Sequence, residues 1–248
     1  MMRFAVSLVV FLLCPVVALA QGGPPLIVDD PGTPGDGHWE INLAGRSQAS
    51  QDKRVMAFPY VDLNCGWGDH VQLKFETGWA TETEGEAPVA SGLNNYLVGV
   101  KKRFLDEETA GIAVSTYPAV EFRGPFASRE ERINQDGTNL VLPVEFSKGF
   151  GPWGVNPEIG LELHSRGDTE YFYGLAMAYE VAKEKEVLWE VRGRSALHSD
   201  NHEWLYNVGV RWSLCERMSL IASAGHSVMT FRDDQPFSLV YLGTQLRL

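Results

Sequence analysis

Six histidines, His38, His70, His164, His198, His202 and His226, are the side chains of this sequence best suited to proton transfer or metal ligation. A hydrolytic site would need a nucleophile beside one of them and a third group to orient the pair. Ser165, Ser199, Asp200 and Ser227 lie close in sequence to the last four. No nucleophile elbow and no zinc-binding spacing accompanies them. Histidine and serine are common in exposed loops, so the sequence assigns no catalytic residue, no metal ligand and no cofactor. Asp29 and Asp30 adjoin in a Pro/Gly-rich stretch; such a pair has the chemistry to hold a cation but does not by itself define a site.

The remaining charged residues fall at alternate positions. One phase of the chain carries Gln72, Lys74 and Glu76; Lys101 and Arg103; Glu121; Glu145; Glu158 and Glu162; Glu190, Arg192 and Arg194; Asn207 and Arg211; Gln245 and Arg247. Acidic Glu121, Glu145, Glu158 and Glu162 group on the fifth to seventh predicted strands. Lys74, Lys101 and Arg103 fall on the third and fourth, and Arg192, Arg194 and Arg211 on the ninth and tenth. Facing one interior, these groups would either form opposed walls with a field across a channel or pair with one another and hold the interior nearly closed. Ion pairs in a dry interior are costly unless well satisfied, so some water is expected inside.

The elements that would position them are strands. The other phase is apolar: Val71, Leu73, Phe75, Thr77 and Trp79 are typical, as are Trp204, Tyr206, Val208, Val210 and Trp212. Twelve such segments run from Trp39 to Leu248. A soluble sandwich or small barrel with the apolar face inward shows the same alternation. Two features favour the inverted arrangement, an antiparallel up-and-down transmembrane β-barrel of about 12 strands. The connections at 68–70, 106–109, 151–152, 183–186 and 215–217 are tight, whereas those at 80–94, 124–137 and 229–237 are long. All seven tryptophans, Trp39, Trp67, Trp79, Trp153, Trp189, Trp204 and Trp212, lie on the apolar phase near strand ends, as in an aromatic girdle. Trp79 and Trp204 would mark the outer rim and the other five the periplasmic rim. An even strand count brings both chain ends to one side.

Residues 1–20 read as a secretory signal peptide, with Arg3 before an apolar run and Ala18-Leu19-Ala20 at its close. Nothing after them approaches the roughly 20 apolar residues of a membrane helix. Residues 21–37 form a Pro/Gly-rich segment unable to be a central strand; they are expected either to plug the lumen or to lie along the rim as a tether. Residues 38–248 form the barrel. Cys65 and Cys215 fall four strands apart and are expected to remain unpaired. A net charge of −11 argues against nucleic acid as a partner. The expected partners are outer-membrane lipid and lipopolysaccharide, a small-molecule solute, and the barrel insertion machinery, whose C-terminal signal Tyr241-Leu242-Gly243-Thr244-Gln245-Leu246-Arg247-Leu248 resembles.

The opening Gly23-Pro24-Pro25-Leu26-Ile27-Val28-Asp29-Asp30-Pro31, then Pro34-Gly35 and His38-Trp39-Glu40-Ile41-Asn42, resembles that of the outer-membrane proteins grouped as meta-pathway phenol-degradation transporters. Gly99-Val100-Lys101, Arg103-Phe104-Leu105-Asp106-Glu107, Leu142-Pro143, the stretch from Lys148 to Trp153, and Tyr241-Leu242-Gly243 extend the resemblance. It implies an outer-membrane barrel linked to uptake of aromatic or other hydrophobic compounds, and it brings no set of functional residues. Against hydrocarbon passage stands an inward phase that is mostly polar, with Phe58, Tyr117 and Phe172 as the expected exceptions. A barrel enzyme acting on lipid and a structural surface barrel are the alternatives.

Overall fold

The computed structural model describes residues 22–134, 137–197, 202–229 and 235–248. The predicted signal peptide, and His198, Ser199 and Asp200, lie outside the described residues. No helix among the described residues is long and apolar enough to cross a membrane. The chain instead forms one antiparallel sheet closed on itself. In chain order its segments are β1 (Trp39–Ala49), β2 (Lys53–Trp67), β3 (Val71–Glu84), β4 (Ala90–Leu93), β5 (Tyr96–Leu105), β6 (Ala113–Thr116), β7 (Ala119–Phe122) and β8 (Thr138–Phe150). They continue as β9 (Trp153–His164), β10 (Glu170–Ala182), β11 (Lys185–Ala196), β12 (His202–Cys215), β13 (Met218–Met229) and β14 (Ser238–Arg247). A single-turn helix, α1 (Glu107–Ala110), sits between β5 and β6.

Fourteen segments make twelve strands, because two strands are interrupted. β4 and β5 both pair with β3, one beyond the other. β6 and β7 both pair with β5 and β8, and Pro118, which cannot donate a ladder hydrogen bond, stands between them. The wall stays continuous at that break: Tyr117 N–H donates to the Pro143 carbonyl and Val100 N–H to the Pro118 carbonyl. β1 pairs with β14 from Glu40↔Arg247 to Ala49↔Ser238, which closes the ring. Both ends of the wall lie at the end carrying the tight turns (the turn end). Gly68 (φ 63°) and Gly151 (φ 61°) occupy left-handed positions in two of those turns, where a Cβ would be strained.

The pleat is inverted relative to a soluble protein. Leu43, Leu73, Val100, Val144, Ile159 (56% exposed), Leu175, Val210 and Leu242 point away from the barrel, while Asn42, Asp62, Gln72, Lys74, Lys101, Glu145, Asn156, Glu190 and Gln245 are buried inside it. A water-soluble fold would expose the second set and bury the first. This orientation, with a closed ring, is the solution available to a sheet solvated by lipid outside and polar groups within.

Three details depart from the sequence expectation. Phe58, expected inward, is 70% exposed on the outer surface. A bulge between Ala57 and Tyr60 inserts a residue into β2, so the inward phase changes from Tyr60, Asp62 and Asn64 to Ala57 and the outward side takes Phe58. The long connection 80–94 is mostly strand: β3 runs on to Glu84 and β4 returns, leaving only 85–89 as a turn. The β1–β2 connection at the same end (the loop end) is only 50–52, so long strands replace one of the expected long loops.

Candidate functional site

The lumen is built from the inward phase, and its contents are set by side-chain size. Along β10 the inward positions Gly174, Ala176 and Ala178 are small, as is Gly209 on β12. Small residues here leave room against β10–β12, and residues 22–31 fill it. Leu26 and Val28 (0% exposed) pack with Ala176, Ala178 and Leu188 in an apolar cluster inside the barrel. A Cβ at Gly174 would collide with the Val28 side chain. Burial of these two side chains contributes on the order of 1.5–3 kcal/mol each.

The segment has no regular structure, so its backbone polar groups need partners from the wall. Ile27 and Val28 N–H donate to Glu190 Oε2 at 2.9 and 2.8 Å. Arg211 Nη2 donates to the carbonyls of Gly22 (3.3 Å) and Pro24 (3.1 Å), and Ser223 Oγ to that of Pro25 (2.8 Å). Lys101 Nζ donates to the Asp30 carbonyl. The Asp29 carboxylate then lies between two buried lysines, 3.2 Å from Lys101 Nζ and 3.7 Å from Lys74 Nζ. Burial alone would push the Asp29 carboxyl up; the two ammonium groups and the Asp30 N–H hold it below its ordinary value. Asp30 is pushed up to about 6, by burial first, with Lys101 opposing. Residues 33–37 cross the turn-end rim over β2: Gly37 N–H donates to the Gly66 carbonyl, Gly66 N–H to that of His38, and Gly68 N–H to Asp36 Oδ1. A side chain at Gly66 would overlap the Gly35 carbonyl.

The sequence-derived lumen residues occupy three levels. Lys74, Lys101, Glu145, Glu190 and Arg211 gather around residues 22–31, where Lys101 also meets Glu145 at 3.2 Å and Arg211 meets Glu186 at 2.8 Å. Glu158 is buried on β9 beside Glu145 in the β8–β9 register, and Arg192 on β11 stacks 5.0 Å over the Phe172 ring. Toward the loop end, Glu121 accepts from Asn95, Glu162 lies near His164, and Arg194 bridges Glu203 (3.2 Å) and Glu170 (3.7 Å). Arg103 stands apart at the turn-end rim, bound to Asp106 at 2.7 Å.

Beside Glu76 of the polar phase, the wall also contributes Asp62 and Tyr60, which were not singled out by sequence. Asp62 and Glu76 share Lys74, at 3.7 and 2.8 Å, and Tyr60 hydroxyl donates to Glu76. Asp62 falls between Val61 and Leu63, so its place in the polar phase was the available signal. A cavity of about 1170 Å³ opens below residues 22–31 toward the turn end, lined among others by Asp30, Asp62, Lys101, Arg211 and Arg247.

Of the groups weighed for catalysis, His38 and His70 sit at the turn-end rim, the latter 3.7 Å from Asp106. His226 contacts Ser238, and Ser165 Oγ accepts the Thr138 N–H. A pair unmarked in the sequence, Ser195 with His202, is hydrogen-bonded on adjacent strands, but Ser195 is fully buried. Cys65 and Cys215 are free. Five of the tryptophans, Trp39, Trp67, Trp79, Trp153 and Trp212, are exposed on the outer surface. Trp189 stacks on Trp153 (5.8 Å) toward the turn end, and Trp204 meets Tyr173 edge-on (5.2 Å) toward the other.

No family model matches the chain, and no curated protein matches it. Solved structures do. The COG4313 outer membrane channel from Pseudomonas putida F1 is similar at a TM-score of 0.74 and 12% identity, over 88% of this chain and 98% of that one. The NanC porin is similar at 0.60 and 11%, over 84% of this chain and 100% of its own. The KdgM porin is similar at 0.56 and 10%, over 83% and 98%. At these identities the likeness is one of fold, and the fold is the twelve-stranded barrel of outer-membrane channels and porins.

Proposed function

We propose that the protein is a passive channel of a Gram-negative-type outer membrane, without cofactor, whose lumen is occluded by its own residues 22–31. The observation that carries this reading is the set of wall side chains Glu190, Arg211, Ser223 and Lys101, each bonded to the backbone of a segment with no ladder of its own. The cavity beneath it, lined by charged residues such as Asp62, Lys101 and Arg211 and reaching the turn-end residues Glu108 and Arg217, supplies an aqueous approach. In this reading the turn end faces the periplasm, the tryptophans lie at the two lipid interfaces, and lipid and lipopolysaccharide surround the wall. The C-terminal strand is what the insertion machinery reads. The resemblance of residues 23–42 to the meta-pathway phenol-degradation transporters favours small aromatic or hydrophobic compounds as solutes, and a displaced segment gives them room.

Single-channel recording in a planar bilayer tests the reading, comparing the chain from residue 21 with a deletion of 21–37 and with Glu190→Ala. The intact barrel is expected to show small steps or none. The deletion should give large discrete steps, and Glu190→Ala an increased open fraction, since it leaves the Ile27 and Val28 N–H groups unpartnered at about 1–3 kcal/mol each. Equal steps from all three would mean that the segment occludes nothing. Silence from all three, with heat-modifiable barrels, would remove the channel reading itself.

A further inference from the structure

Near the loop end, three potential metal ligands converge on the lumen face of two neighbouring strands. Glu162 and His164 alternate along β9, and Glu170 stands directly across from Glu162 at the start of β10. Ligand atoms from all three lie within 4.8 Å of one another. His164 Nε2 is 3.6 Å from Glu170 Oε1, and His164 Nδ1 is 3.8 Å from Glu162 Oε1. Two donors each about 2.0–2.2 Å from a tetrahedral zinc ion lie roughly 3.3–3.6 Å apart, so the first pair already has the spacing of one edge of such a site.

A second observation points to a missing partner. Glu170 is 8% exposed, and its Oε2, like His164 Nε2, is enclosed and makes no hydrogen bond among the described residues. Carboxylates placed directly opposite across a strand pair repel, and Glu162 and Glu170 are so placed. Arg194 Nη1 on β11 approaches that same Glu170 Oε2 at 3.7 Å, beyond hydrogen-bond distance, while its Nη2 bonds Glu203 at 3.2 Å. Asn139 on β8 donates weakly to Glu162, at 3.5 Å.

We propose that Glu162, His164 and Glu170 bind a divalent first-row transition-metal ion of the zinc type. One imidazole and two carboxylates neutralise a dication and leave a fourth position open to the lumen. The ion would tie β9 to β10 just before their 165–169 connection, in the part of the lumen beyond residues 22–31. It does not depend on the channel reading, because any barrel with this lumen would hold it.

The test is calorimetric titration of the refolded full barrel in detergent with zinc chloride, repeated for His164→Asn, Glu170→Gln and, as a control far from the site, His38→Asn. One zinc per barrel is expected, unchanged in His38→Asn and weakened by about 100-fold or more in the other two, above the roughly 10–100-fold typical of losing an outer-shell partner. Heat-modifiable mobility checks each fold, and Glu162→Gln replaces any variant that loses it. Cobalt in place of zinc should give visible d–d bands that vanish in His164→Asn. Absence of stoichiometric zinc binding to the unsubstituted barrel, or equal binding in His164→Asn and Glu170→Gln, would overturn the proposal.

Discussion

Val208→Arg is expected to destabilise the barrel by about 2–4 kcal/mol when unfolding is followed in lipid vesicles, the cost of placing arginine near a bilayer midplane. Val208 lies midway along β12 between Trp204 and Trp212 and is 52% exposed, with Trp189 and Ala224 as its paired neighbours. In water an exposed strand valine tolerates such a change within about 0.5 kcal/mol, since the guanidinium stays solvated. In hydrocarbon there is nothing to solvate it except the distant interfaces. The same exposure therefore predicts opposite outcomes for a soluble barrel and for a lipid-embedded one. Urea midpoints of the two proteins, with equal m-values, measure the difference. An unchanged midpoint would mean that the apolar outer face is not in contact with lipid.

Alternation along stretches such as Val71–Trp79 and Trp204–Trp212 made the strands legible, because each side chain reports the face it occupies. Which face was outside was not in the alternation; the end-of-strand tryptophans and the unequal connections carried it. Local irregularities were much less legible. Pro59 sits beside the bulge that turns Phe58 outward, yet a proline is as compatible with a strand start as with a bulge. Pro118 similarly marks the gap between β6 and β7, but its neighbours Val114, Thr116, Val120 and Phe122 keep one phase across the gap and conceal it. Residues 80–94 looked like a loop because Thr81, Glu82, Thr83 and Glu84 have no apolar phase. Beyond the lipid there is no apolar requirement on either face, so a strand there leaves no hydrophobic signature.

The interior divides in the same way. A period-two reading finds Lys74, Lys101, Glu145, Glu190 and Arg211 on one phase, since each is flanked by apolar neighbours. It does not find what they touch, because Lys101 and Glu145 are on strands separated by β6, and Asp29 reaches both lysines from outside the sheet. The path of residues 22–31 depends on Gly174, Ala176, Ala178 and Gly209, whose missing volume was visible in the sequence only as absent side chains. Glu162 and Glu170 are adjacent only once the β9–β10 register is known, and that register is fixed by pairing and not by local sequence.

That dependence on non-local pairing makes Lys101 the most demanding position of the lumen. It is 1% exposed, 3.2 Å from both Asp29 and Glu145, and it also donates to the Asp30 carbonyl. Glu145 is 0% exposed, and its other partner is the Ser115 hydroxyl, at 2.5 Å. Lys101→Met keeps the stem and removes the charge, stranding the wall carboxylate of Glu145 and leaving Asp29 only Lys74, at 3.7 Å. Breaking a buried pair in this way typically costs about 3–5 kcal/mol, where a surface pair costs about 1 or less. The double variant Lys101→Met with Glu145→Gln removes the stranded wall charge and is expected to recover a large part of the loss. Unfolding midpoints of the two variants therefore separate the ion pair from mere packing of the lysine stem, which both variants alter equally. In planar bilayers the single variant should also open more often than the unsubstituted barrel, since Asp29 loses its nearer cation and the Asp30 carbonyl its donor. A loss below about 1 kcal/mol, with no recovery in the double variant, would mean that water in the lumen screens these charges as bulk solvent does and that Lys101 does not hold the segment in place.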